Sequence, residues 1–306
     1  MPQRRAHSLS FSSYLRNFVY ALIVFFISWI VYSFFRPPPP WHNPQLINQS
    51  TFVKGPIDTL VEIKNIPEKH LVLTTQVNRH NRAMPIRLVN GKKNSIICIQ
   101  PGEIQRWRIL NASTNDYFNF TIPEKTFYII SRDGYATIKP IAATKELLAP
   151  GDRIEILVRG PFWGNYPIQS LGFAKYQPDT FLTMKAQGAV VFGRKIPEKL
   201  LERKDLRKVD IDDIRKFVIT KENPKAKNFT LHLDGEHIAS ASFNNSGTTE
   251  EWEVLNKTES WFPFSLSQKP FQVIAINGKP TDLFSYETIF TISPKGSVTI
   301  RLSYPE

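Results

Sequence analysis

Short runs in which apolar and polar residues alternate fill the chain from Thr59 onward. In RIEILVR, residues 153–159, Ile154, Ile156 and Val158 recur at every second position, which lays them on one face of a strand. Residues 297–302 repeat the pattern with Val298, Ile300 and Leu302, and the shorter run EWEV, residues 251–254, alternates too. Between such runs stand pairs that favour tight turns: Asn90 with Gly91, Pro101 with Gly102, Asp133 with Gly134, Pro150 with Gly151, and Asn277 with Gly278. Alternation in pieces of this length, punctuated this way, predicts an all-β fold of antiparallel β-sandwiches.

Two stretches break the pattern. Residues 18–35 (FVYALIVFFISWIVYSFF) carry no charge, and at ~1.5 Å per residue a helix of that length spans about 27 Å, close to a bilayer's hydrocarbon core. Arg4, Arg5 and Arg16 precede the run with no acid among them, so the positive-inside rule predicts a cytoplasmic N-terminus and an extracytoplasmic remainder. The run is longer than the core of a cleaved signal and leads into Phe34, Phe35, Arg36 and Pro37, which favours an uncleaved anchor. The four prolines from Pro37 to Pro40 then favour an extended spacer. The second stretch, residues 197–216 (PEKLLERKDLRKVDIDDIRK), is densely charged with scattered Leu, Val and Ile, and reads as an interdomain linker with some helix. The expected organisation is a basic tail (1–17), an anchor (18–35), a Pro-rich spacer (36–55), a first sandwich (56–193), a charged linker (194–216) and a second sandwich (217–306).

Composition narrows the chemistry. A single cysteine, Cys98, excludes an intramolecular disulfide and cysteine-rich zinc sites. The net charge of +12 suggests nucleic acid first, but no basic stripe or reading motif accompanies it, and a solvated face near anionic lipid accounts for it better. Partners are therefore expected to be a membrane and protein, with no nucleic acid.

Two segments resemble the multicopper oxidases, the laccase-like family that also includes a copper-free cell-division member. The first runs from Leu88, Val89, Asn90 and Gly91 through Pro101, Gly102, Glu103, Arg106, Trp107 and Arg108 to Leu148, Ala149, Pro150, Gly151, Asp152 and Arg153, and is similar to the family's middle cupredoxin domain. The second, with Glu250, Glu251 and Trp252 followed by Phe262, Pro263, Phe264, Ser265, Leu266 and Ser267, and then Pro270, Phe271, Gln272 and Val273, is similar to its last domain. The resemblance implies two cupredoxin-like Greek-key β-sandwiches, the second incomplete, and the apolar run places them behind one N-terminal transmembrane helix. The strand Arg106, Trp107, Arg108 is expected to pack Trp107 and Ile109 inward, with the two arginines lining the outside or paired with acids.

The resemblance also implies copper, held by two imidazoles and a thiolate at a blue site and by eight imidazoles at a trinuclear cluster. The family's third ligand motif, His-Pro-Phe-His-x-His, has Phe262, Ser265 and Ser267 where its three histidines would stand. Nothing resembles the first domain's ligand motifs, and the His-Cys-His motif expected after residues 297–303 does not follow before Glu306. His232 and His237 flank Asp234, Gly235 and Glu236 but read as solvated loop histidines, and Cys98 reads as a small buried hydrophobe. No catalytic, cofactor-binding or metal residue is assigned.

The expectation is a membrane-anchored, copper-free scaffold or interaction module of the cell envelope, periplasmic in a bacterium. The alternative is a copper-dependent oxidoreductase subunit whose missing ligands come from a partner chain. Ending at residues 298–303, between Val298 and Ser303, the second sandwich is expected to leave an open sheet edge that a protein partner or a second copy covers.

Overall fold

Trp107 and Trp252 are the largest fully buried side chains, and each centres one of two β-rich units. The computed structural model describes residues 56–77, 85–174, 176–222, 229–237, 247–266, 269–281 and 285–304. The basic tail, the apolar run and the Pro-rich spacer lie outside the described residues; among those described, no helix is long and apolar enough to cross a membrane.

The first unit runs through β1 (Glu68–Gln76), β2 (Ile86–Val89), β3 (Ser95–Ile99), β4 (Ile104–Asn111), β5 (Phe118–Thr121), β6 (Phe127–Arg132), β7 (Tyr135–Ala143), β8 (Lys145–Leu148), β9 (Arg153–Arg159), β10 (Gly164–Leu171) and β11 (Asp179–Ala186). These form two sheets, ordered β2-β1-β4-β9-β6-β7 and β3-β11-β10-β5-β8. Most neighbours are antiparallel, but β1 lies parallel to β4 and β3 to β11, so the chain crosses between layers instead of meandering within one. The alternation in β9 does what its pattern predicts: Ile154, Ile156 and Val158 join Trp107 and Ile109 in the core, which Phe118, Phe120 and Phe181 of the other sheet share, the ring of Phe181 meeting the other two edge-on.

Arg106 and Arg108 pair with acids, one of the two arrangements expected of them, and do so while only 1% and 3% exposed. The 3-10 turn Pro56–Thr59 and the helical turn Val61–Lys64 lie over their side of the sheet, and Ile57 and Ile63 pack there with Ile104, Leu157 and Leu200. Arg106 donates to Asp58 (2.6 Å), Glu68 (2.9 Å) and Glu155 (2.8 Å from Nε), and Arg108 donates to both Asp58 oxygens at 3.0 Å. A sheet buried on both faces needs its inner charges neutralised, and this network does that.

The second unit comprises β12 (Asp213–Thr220), β13 (Thr230–Leu233), β14 (Glu236–His237), β15 (Thr249–Asn256), β16 (Phe262–Ser265), β17 (Phe271–Ile276), β18 (Lys279–Pro280), β19 (Tyr286–Glu287), β20 (Ile289–Ile292) and β21 (Ser297–Ser303). Its larger sheet follows β14-β13-β12-β15-β21-β17-β18, with β19 also on β17; among the described residues the facing layer is the pair β16-β20. The open edge expected at Val298 to Ser303 is not there. β21 pairs with β15 on one side and with β17 on the other, because β17 returns beside it and fills the position a last strand in sequence would have left exposed.

The charged stretch is more ordered than a solvated linker. Asp213 through Lys216 already belong to β12, paired in parallel with Glu250 through Glu253. Among its residues the regular helix is a single 3-10 turn, Leu206–Lys208, capped by Asp205. Leu200 is buried against the first unit and its amide donates to Ile138, whereas buried Leu206 donates to Gln272 of the second. The apolar residues scattered among the charges pin the segment to both units.

The units repeat one design. Trp107 Nε1 donates to Gln105 two residues back, and Trp252 Nε1 donates to Glu250 in the same way. Beyond each tryptophan a buried asparagine, Asn111 or Asn256, donates to main-chain carbonyls, Leu148 in one unit and Ser260 in the other, and accepts from Ser113 or Thr258. Parallel pairing of β1 with β4 matches that of β12 with β15.

Candidate functional site

Strand β16 carries two of the three positions at which the resemblance places copper ligands. Successive side chains on a strand face opposite ways, so Phe262 and Phe264 share one side and Ser265 takes the other. Phe264 is buried in the second core, and the ring of half-buried Phe262 meets Phe229 edge-on at 4.8 Å. Ser265 is exposed opposite Ile289 of β20. Ser267 lies outside the described residues. These groups do not fit copper: a phenyl ring has no lone pair to donate, it is held by other rings, and a solvated hydroxyl is a hard, weak ligand for this metal.

Nor do the other candidate residues gather. Among the described residues no group of three or more His, Cys, Asp or Glu side chains is placed to hold a metal ion. His232 sits opposite His237 across the hairpin of β13 and β14, and its Nε2 lies 3.0 Å from the Thr220 hydroxyl. Cys98 is half-buried in β3, and its sulfur accepts from Gln187 at 3.8 Å. His7, His42 and His80 lie outside the described residues, and His70 meets Glu68 at 3.0 Å.

The polar cluster that the structure does assemble lies between the two units. Asp133, in the left-handed position of the turn joining β6 and β7, accepts through Oδ2 from the amides of Thr288 (2.8 Å) and Ile289 (3.1 Å). Its other oxygen accepts from the Arg153 amide at 3.1 Å. Beside it Glu287 is buried with Oε1 unpartnered; Asp152 keeps Oδ1 unpartnered and accepts through Oδ2 from the Ala149 amide at 2.7 Å. A crevice lined by Arg132, Asp133, Asp152 and Glu287 has room for about one water. Burial pushes the Glu287 carboxyl up to about 8, and neighbouring Asp133 and Glu146 add to the rise while Arg132 opposes it. Burial likewise raises Asp152, with Asp133 next in effect. Arg132 stays charged because its bidentate pairing with Glu146 outweighs its own burial. Around the rim, the Arg203 guanidinium lies over the rings of Tyr135 and Tyr286, one from each unit.

Sequence reading found Asp133 and Asp152 only as turn residues and did not single out Glu287. The turn chemistry is local, but the burial that gives these carboxyls their character comes from docking a segment about 150 residues away in sequence. The arrangement can hold protons and tie two units together. It presents no nucleophile with an activating base and no oxyanion donors in a cleft.

Comparison with known proteins shows what this chain is similar to. Residues 41–188 match the family model described as multicopper oxidase. Among curated proteins, the multicopper oxidase LPR1 homolog 5 of Oryza sativa subsp. japonica is 26% identical over 61% of this chain and 32% of its own length. The cell division protein FtsP of Xenorhabdus nematophila is 24% identical over 71% of this chain and 48% of its own. The chain thus spans a third to a half of the curated relatives it matches. In structure it is similar to the McoA multicopper oxidase of Aquifex aeolicus, with a TM-score of 0.65 at 18% identity over 79% of this chain and 60% of that one. The Campylobacter jejuni multicopper oxidase, described as a metallo-oxidase, gives 0.63 at 17% identity over 80% and 59%. The two-unit cupredoxin-like β fold expected from the sequence is the fold these proteins share.

Proposed function

We propose that this relative of the multicopper oxidases is a binding or scaffold module of a cell envelope, held to a membrane by residues 18–35, and not a copper oxidase. The observation that carries the reading is the chemistry at β16: half-buried Phe262 is packed against the second core and Phe229, and Ser265 is an exposed hydroxyl, at positions where the family resemblance calls for imidazoles. A sandwich that keeps its paired tryptophan cores and its interdomain hydrogen bonds while giving up ligand chemistry retains only surfaces to work with. Similarity to a protein named for cell division is compatible with a non-catalytic envelope role. A copper oxidase completed by a partner chain would still have to replace the donors absent at Phe262 and Ser265, which no added domain does from outside a packed strand.

The test is recovery of the full chain from membranes after brief chemical cross-linking in cells. This reading predicts a protein partner recovered in fixed proportion to the chain; a chain recovered alone, at all cross-linker doses, overturns it.

A further inference from the structure

The first unit carries an aromatic patch at the end where the described chain begins. Phe162 is 78% exposed, Phe192 85% and Trp163 45%, and the rings of Phe162 and Trp163 stand 6.4 Å apart. Isolated exposed apolar side chains are ordinary, but these come from two segments locked side by side. Trp163 Nε1 donates to the Gly188 carbonyl at 2.9 Å, the Val191 amide donates to Pro101 at 2.8 Å, and the Gly102 amide donates to Gly160 at 2.9 Å. The two loops therefore present their aromatics from a fixed platform. A Cβ on Gly102 would stand 2.2 Å from the Val191 carbonyl oxygen, so the close approach of those strands depends on that glycine.

Cations stand on the adjoining residues. Arg159 donates to the Arg194 carbonyl at 3.0 Å, Arg194 donates to the Asn65 carbonyl at 3.4 Å, and Lys195 follows; all three residues are exposed. That last bond ties the patch to the segment where the described chain starts, residues 56–66, itself packed on Leu200. Rings at the tip with guanidinium and ammonium groups at the rim are the composition that settles at a bilayer interface, where aromatic rings sit at headgroup level and cations meet anionic phosphates.

We infer that Phe162, Trp163 and Phe192, with Arg159, Arg194 and Lys195 around them, form a docking surface for an anionic lipid bilayer. It rests on the anchor reading only for its tether. Residues 36–55 reach at most about 70 Å when extended, so an anchor in the same membrane keeps the patch at high local concentration over the lipid. Docking fixes which end of the first unit faces the membrane and turns the second unit's surfaces away from it.

The test reconstitutes the full chain in vesicles of zwitterionic lipid, in vesicles with about 30 mol% anionic lipid, and in detergent micelles, and follows amide exchange. Residues 162–164 and 189–194 should exchange at least about threefold more slowly on anionic vesicles than in micelles. The variant carrying F162S, W163S and F192S, all at exposed positions, should lose that protection while its core strands stay protected. Equal exchange in all three media overturns the proposal, as does protection in micelles that rises with protein concentration, which would mark self-association. Brominated lipids separate this from the anchor reading. Fluorescence quenching that persists in W163F reports Trp29 and Trp41 near the anchor, and only the component lost in W163F reports the patch. Quenching identical in W163F and the parent counts against docking even where the anchor holds.

Discussion

Asp133, in a turn of the first unit, accepts a hydrogen bond from the main-chain amide of Thr288 in the second, at 2.8 Å. The same oxygen takes the Ile289 amide, so one carboxylate satisfies two donors beside β19 and β20. Hydrogen bonds to a charged group contribute about 1.5–3 kcal/mol, so D133A should destabilise the chain by roughly that amount. D133N keeps an acceptor and a residue that tolerates the left-handed turn, and should cost less. Guanidinium unfolding followed by tryptophan fluorescence checks both; an unchanged midpoint in D133A would contradict the role given to this contact.

Glu287 makes the same interface pH-dependent. Its carboxyl titrates near 8 in the folded chain against 4.5 for the free group. Between those values the folded chain keeps a proton that the unfolded chain has released, so stability falls as pH rises, by at most about 1.4 kcal/mol per unit. Asp152, also raised, contributes in the same direction from lower pH. E287Q removes the titration and should flatten the decline in melting temperature from about pH 5 to pH 8, leaving the part due to Asp152. A decline parallel to that of the parent would show that Glu287 does not carry it.

Buried Glu250 has three partners: Trp252 Nε1 at 2.8 Å, Arg215 at 2.9 Å and the Tyr304 hydroxyl at 3.4 Å. Removing the arginine strands a buried charge, so R215A should cost about 3–5 kcal/mol. In the first unit Gln105 takes the equivalent place and still accepts from its tryptophan. Adding E250Q to R215A should therefore recover a large part of the loss. Thermal melts of the two variants decide it, and equal destabilisation in both would contradict the account.

Much of this fold was legible in the sequence because alternation is a local signal. β9 and β21 place Ile154, Ile156, Val158, Val298, Ile300 and Leu302 in cores as their spacing predicts. What failed depended on sheet order and on long-range docking. β21 comes last among the strands but is paired on both flanks, because spatial order in a Greek-key sheet is not chain order. The acid pairing of Arg106 and Arg108 was among the expectations, but their burial under residues 56–66 was not. In the linker the apolar residues were visible, but that Leu200 and Leu206 are the buried ones, and that residues 213–216 belong to β12, depends on long-range packing. The substitutions at Phe262 and Ser265 were visible from the resemblance. The edge-on packing of Phe262 against Phe229, a residue over thirty positions earlier, was not.

Under the function proposed, the chain has the oxidase fold without a copper centre, and metal analysis tests that most directly. The full chain, purified from cells grown with added copper and freed of loosely bound ions, should hold well under one copper per chain and show no blue thiolate-to-copper absorbance. One or more tightly held copper ions per chain, with that absorbance and oxygen-dependent turnover of a phenolic or metal-ion substrate, would contradict it.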